Sequence, residues 1–130
     1  MKPGCRSFTT DVCVPISRLA ECITETIRDT ADSPLPAPIL GHVGDGNFHC
    51  AILADPEKPD EIEEAERLNR RIVGRALAMD GTCTGEHGVG MHKMDFLREE
   101  HGDDALELMA RIKRSFDPQN ILNPGKIVRV

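Results

Sequence analysis

The segment ILGHVGDGNFHCAILA, residues 39–54, constrains the fold more than any other stretch of the chain. Two apolar runs flank Gly-Asp-Gly-Asn, whose members tolerate left-handed backbone and so favour a reversal between strands. Read as a hairpin with 44–47 as its loop, the segment pairs Val43 with Phe48 and His42 with His49. Directly opposed residues of an antiparallel pair share one face, with Cβ atoms about 4.5–5.5 Å apart. The same residues therefore predict both a chain reversal and two neighbouring imidazoles.

The remaining elements are arranged around this hairpin. TDVCVPIS (10–17) is apolar and β-branched enough for a strand, and Pro15 predicts that its pairing stops there or that it lies at a sheet edge. Ser17 suits the N-cap of a helix over 18–31, with Ala20, Ile23, Ile27 and Ala31 as its apolar face. DSPLPAP (32–38) reads as a loop. A long helix is predicted over 60–79, with Ile62, Ala65, Leu68, Ile72, Ala76 and Met79 on one side. Its acidic residues come first and its arginines later, as the helix dipole favours, and Gly81 is placed to end it. The arginine row reads as a solvated face. A short helix over 92–100 stops near Gly102, and Asp103 caps a last helix that buries Ala105, Leu108, Met109, Ile112 and Phe116. DPQNILNPGK (117–126) is turn-rich. The order β-α-β-β-α, then helices, predicts an α+β fold: a small antiparallel sheet with helices on one face. The length of 130 residues fits one small domain over 1–130.

Composition narrows the function classes. The only aromatic residues are four Phe, so the core must come mainly from Leu, Ile, Val, Met and Ala. A net charge of −6 without a basic patch excludes nucleic acid as the expected partner. The five cysteines are odd in number, form no C-x-x-C and match no zinc spacing. They read as free thiols of a reducing compartment, buried as small hydrophobes. No apolar run approaches the ~18 residues that span a bilayer. The start MKPGCRSFTTD lacks the apolar stretch of a signal peptide and leads straight into a strand, so the chain reads as a piece of something larger.

GTCTGEHGVG (81–90) adds a third ligand type, Glu86, to His42 and His49. Three protein ligands with open positions is the pattern of a catalytic metal site, and two His with one carboxylate suit Zn²⁺, Mn²⁺ or Fe²⁺. His87 rides beside Glu86, where it is available as a base near neutral pH. The glycines of GEHGVG run in the reverse order of a dinucleotide fingerprint and carry no weight as a nucleotide loop. His92 and His101 lie in polar helical sequence and read as surface. The ligand set alone serves an oxidoreductase, a non-catalytic metal-binding module or a metal-dependent hydrolase.

GHVGDGNFHC, GTCTGEHGVGMHK and DPQNILNPGKIV, in this order, resemble the C-terminal half of FAD-linked D-2-hydroxyacid dehydrogenases of the vanillyl-alcohol-oxidase-like flavoproteins. TDVCVPISRL is most similar to the D-lactate dehydrogenase (cytochrome) and glycolate oxidase subunit branch. The resemblance implies a ferredoxin-like cap domain that covers a flavin held by a separate N-terminal FAD-binding domain, in cis or on a partner chain. It implies that His42, His49 and Glu86 bind a divalent metal, that His87 is the catalytic base, and that Asn123 lies in the segment returning towards FAD. Relatives acting on 2-hydroxyglutarate carry a lysine near the position of Thr9; the Thr9-Thr10 pair here argues for a shorter 2-hydroxy acid such as lactate or glycolate. A cytochrome or quinone is the implied electron acceptor. The implied location is the cytoplasm or the periphery of the inner membrane, mitochondrial in a eukaryote.

Overall fold

The computed structural model describes residues 4–130, which form two compact units, one ending at Glu86 and the other running from His87 to Val130. The first unit is built on β4 (Asn47–Ala54), to which the other three strands all pair antiparallel: β1 (Arg6–Thr9), β2 (Val12–Cys13) and β3 (Ile39–Leu40). With the helices described below, this is the expected α+β fold, a small antiparallel sheet with helices. Residues 6–9 form a strand absent from the sequence reading, which began the first strand at 10. β1 and β2 keep one register against β4, from Arg6↔Ala54 to Cys13↔Asn47. Between them, the Thr10 hydroxyl accepts the Cys50 amide at 2.9 Å.

The period-2 geometry of β4 gives it two distinct faces. Phe48, Cys50, Ile52 and Ala54 are wholly buried on one face. Asn47 and His49, also buried, lie on the other. Val12, opposite Phe48, extends the apolar face. α2 (Pro59–Leu77) packs on β4 and β2 through Ala65, Leu68, Ile72, Val73 and Ala76. Ala65, Leu68, Ile72 and Ala76 belong to the predicted face, with Met79 buried just beyond the end; Val73 joins them, and Ile62 is only half-buried. Pro59 suits a first helical turn, where its missing N–H goes unused. The Glu61 carboxylate reaches back to the Asp55 amide at 2.8 Å and to the Lys58 ammonium at 2.9 Å. At the other end, Asp80 rather than Gly81 takes the left-handed backbone, φ 58°. Gly81 serves a close approach instead: a Cβ there would lie 2.4 Å from the Cys13 carbonyl oxygen.

α1 (Ile16–Ala31) starts two residues earlier than expected, with Pro15 rather than Ser17 at its cap position. Its buried residues are Leu19, Cys22 and Thr26, one position round from the predicted face, and Ile27 is 54% exposed. The cause is a polar seam between α1 and α2. The Arg75 guanidinium donates to the Thr26 hydroxyl and the Asp29 carboxylate, each at 3.0 Å, and Arg71 donates to Asp29 at 2.9 Å. Half of the arginine row is thus an inter-helix contact, not a solvated face.

The second unit centres on α3 (Met94–Phe116), which breaks at Gly102, φ 77° and ψ 172°. The predicted stop is real, although the first segment begins at 94 rather than 92. The predicted buried face of the second segment is not observed: Leu108 is 59% exposed, Ile112 51% and Phe116 82%. The returning terminal segment explains this. Ile127, Val128 and Arg129 share a groove with Met94, Leu106 and Ala110. Leu108 and Ile112 are each two residues past that line, about 200° around the helix at 3.6 residues per turn, and so face outward.

The DPQNIL turn is tied to the helix by Asp117, whose buried carboxylate accepts the Ile121 amide at 3.0 Å, the Leu122 amide at 2.9 Å and the Lys113 ammonium. The Lys113 contact, aided by these amides, holds the Asp117 carboxyl below its usual value. Cys22, Cys50 and Cys83 are buried, and burial pushes Cys50 up to about 11. Among the described residues, no helix is long and apolar enough to cross a membrane.

Two outcomes follow for folding. Ile72→Ala costs about 2–5 kcal/mol, whereas Ile112→Ala stays within about 0.5 kcal/mol, both read by denaturant unfolding. Because the Asp117 carboxyl is depressed in the folded state, its contribution is present above the usual aspartate pKa of about 3.9. That contribution is lost as pH falls through the lower folded value. Protection of the Ile121 and Leu122 amides from hydrogen exchange should therefore persist below pH ~4 and vanish on further acidification, and Asp117→Ala should abolish it at neutral pH.

Candidate metal centre

The hairpin is wider than the sequence reading placed it. Leu40, not His42, lies opposite His49, and Ile39 lies opposite Cys50. Phe48 pairs with Val12 of β2 rather than with Val43. The ladder positions assumed for 42 and 43 are thus not formed, and the chain crosses 43–45 in a 3-10 turn closed by Gly46 at φ 77°. The Val14 amide donates to the Gly46 carbonyl at 3.0 Å, and the Cys13 thiol donates to the Asp45 carbonyl at 3.3 Å. These bonds hold the turn against β2.

The two imidazoles nevertheless meet. Their ring centroids are 6.4 Å apart at an interplanar angle of 89°. Glu86 Oε1 lies 2.9 Å from His49 Nε2 and 3.6 Å from His42 Nε2. One donor atom from each of the three residues falls within 4.8 Å of the others. His49 is buried, while the His42 and Glu86 side chains are 64% and 49% exposed. One buried side chain beside two exposed ones leaves room for a small molecule at the same point.

The donor inventory at His49 is informative. Its Nδ1 lies 3.2 Å from the Thr10 carbonyl and its Nε2 2.9 Å from Glu86 Oε1, so both ring nitrogens face oxygens that only accept. A neutral imidazole donates to only one of the two, and a cation between Nε2 and Oε1 would complete the other contact. A hydrogen bond from the far ring nitrogen to a carbonyl is also how metal-binding histidines are oriented.

Glu86 reaches this point because the segment before it is clamped. Thr82 forms a two-way backbone bridge with Cys13, at 2.8 and 3.3 Å. Beyond it, the wholly buried carboxylate of Asp11 accepts the Thr84 hydroxyl and the Gly85 amide at 3.0 Å and the Glu86 amide at 3.1 Å. The Asn47 side-chain amide donates to Asp11 at 2.9 Å and to the Val12 carbonyl at 2.9 Å. Gly85 is required there, since a Cβ would lie 1.9 Å from Asn47 Nδ2.

Thr10, Asp11, Asn47 and Thr84 were therefore missed as members of the site. The available signal was a charged residue inside the apolar run TDVCV. His87 and Asn123 belong to the second unit and are exposed, Asn123 with left-handed backbone at φ 52°. His92 and His101 are exposed, as expected.

Comparison with known proteins agrees with the motif resemblance. Residues 1–127 match the family model described as FAD linked oxidases, C-terminal domain. The chain is 52% identical over its whole length to a probable mitochondrial D-lactate dehydrogenase of Danio rerio, covering 26% of that protein. It is 51% identical over 98% of its length to the mitochondrial D-lactate dehydrogenase [cytochrome] of Arabidopsis thaliana, covering 23% of it. It is 37% identical over 90% of its length to the glycolate oxidase subunit GlcD of Bacillus subtilis, covering 25% of it. The chain thus spans about a quarter of the length of these curated relatives.

The clamp before Glu86 gives a specific outcome. Gly85→Ala forces Asn47 and Asp11 apart and costs about 1–3 kcal/mol. Gly44→Ala, where nothing lies within 4 Å of the added Cβ, changes stability by less than about 0.5 kcal/mol. Thermal melts of the two variants side by side check this.

Proposed function

We propose, from the premise that this chain belongs to the family of FAD linked oxidases as their C-terminal domain, that it forms the substrate side of an FAD-dependent D-2-hydroxyacid dehydrogenase. The reaction is oxidation of a short 2-hydroxy acid, D-lactate or glycolate, to the 2-oxo acid. The observation that carries this reading is the convergence of His42 and His49 on one carboxylate oxygen of Glu86, in a chain that matches the family over nearly its whole length.

The residues fit a divalent cation. Two imidazole nitrogens and a carboxylate oxygen suit Zn²⁺, Mn²⁺ or Fe²⁺, and the exposure of His42 and Glu86 leaves coordination positions open. His42, His49 and Glu86 would hold the ion, which when bound supplies a Lewis acid for the substrate carboxylate and C2 hydroxyl. His49, fixed by its bond to Thr10, is the rigid member of the set. His87 receives the hydroxyl proton as general base. FAD, carried by a separate FAD-binding domain, supplies the acceptor for the C2 hydride. Asn123 is assigned to the flavin side from its place in the terminal motif. The names of the relatives support a mitochondrial setting in a eukaryote and a cytochrome as electron acceptor.

The test combines the chain with its flavin domain, FAD, D-lactate or glycolate, and a dye acceptor. His87→Ala should lower turnover about 10²–10⁴-fold; unchanged turnover would remove His87 from the base role. Elemental analysis of His42→Ala should show lost metal, and full stoichiometric metal in that variant would refute the ligand assignment. Metal binding without flavin reduction would instead favour a non-catalytic module.

A further inference from the structure

We propose that Asp11 is a positioning residue of the metal centre: its buried carboxylate sets the direction from which Glu86 enters the site. The inference rests on the metal reading above, and goes beyond it by assigning a residue outside the set His42, His49 and Glu86.

Three observations carry it. First, the donors are consecutive. The Thr84 hydroxyl, the Gly85 amide and the Glu86 amide all end on the Asp11 carboxylate, so the last residue clamped is the ligand itself. Second, the clamp holds backbone and leaves the ligand atom out. Asp11 is wholly buried, whereas the Glu86 side chain is 49% exposed and turned to His42 and His49. Third, the packing around the clamp has no slack. A Cβ on Gly85 would strike Asn47 Nδ2 at 1.9 Å and Asp11 Oδ1 at 2.8 Å, so the loop cannot shift without breaking the bonds that aim Glu86.

Asp11 also lies in register opposite His49, continuing the pairs Val12↔Phe48 and Cys13↔Asn47. Its Oδ1 is 3.6 Å from His49 Nδ1. One position between β1 and β2 thus stands behind two of the three proposed ligands, one reached through the backbone and the other through the ring. Neighbours that orient metal ligands typically change metal affinity about 10–100-fold when replaced.

A merely structural Asp11 would weaken metal binding by the same factor whether or not Glu86 can ligate, and a double-mutant cycle separates the two cases. The 130-residue chain is titrated with Zn²⁺ alone, against a competing chelator, as wild type, Asp11→Asn, Glu86→Gln and the double variant. Asp11→Asn should weaken Zn²⁺ about 10–100-fold, and in the Glu86→Gln background most of that loss should disappear. An unchanged affinity, or an equal loss in both backgrounds, would overturn the assignment. Should Asp11→Asn fail to fold, Thr84→Val removes one of the same bonds. It should give a smaller loss that again disappears with Glu86→Gln, and a Zn²⁺ affinity equal to wild type would overturn the proposal. A wild-type chain that binds neither Zn²⁺ nor Mn²⁺ overturns the metal centre itself, an outcome distinct from wild-type binding with Asp11→Asn unaffected.

Discussion

Everything in the first unit depends on the two-sidedness of β4. Alternate side chains of a strand point to opposite faces, so Phe48, Cys50, Ile52 and Ala54 seal the apolar core while Asn47 and His49 face a polar cluster. Core and site are therefore coupled by register. A slip of one residue would put His49 into the helix-facing layer and Phe48 into the cluster around Asp11, and it would be opposed by the burial of four side chains at once. The position of His49 is as secure as the core itself.

The polar cluster has its own energetics. An unpaired buried carboxylate costs several kcal/mol, and the hydrogen bonds from Asn47, Thr84, Gly85 and Glu86 offset that cost at Asp11. Any conformation of 84–86 that releases these donors leaves the buried charge with fewer hydrogen bonds, which disfavours other paths for the loop. The result is a division of labour. Buried His49 is held by strand and carbonyl, Glu86 is aimed through its backbone, and His42 extends from a turn that is itself pinned to β2. Rigid attachment with exposed tips suits the proposed cation site, which would also have to admit a small acid.

The legible parts of the sequence were those with strong periodicity or special backbone chemistry. Most of the face of α2 was readable because Ala65, Leu68, Ile72 and Ala76 recur at helical spacing, and the break at Gly102 because only glycine reaches φ 77° and ψ 172° without strain. The face of α1 was not, since its apolar residues suggested one stripe while Arg75 and Arg71 on another helix selected the neighbouring one. The outward face of α3 was hidden for a related reason: the path of the terminal segment, not the pattern of Leu108, Ile112 and Phe116, decides which side is covered.

The site shows the same boundary. His42, His49 and Glu86 could be singled out as candidates by residue type and glycine context, because few side chains are suited to ligate metals and few backbones turn so tightly. Their meeting was reached in the sequence by a hairpin register that does not exist: Leu40 occupies the place assigned to His42. What brings the imidazoles to 6.4 Å is a 3-10 turn fastened to β2, and what brings Glu86 to them is Asp11, far away in sequence. Residue chemistry and local periodicity are properties of the chain and can be read from it. The pairing of distant segments is chosen by the burial and hydrogen-bond satisfaction of the whole fold, so it was settled only in three dimensions.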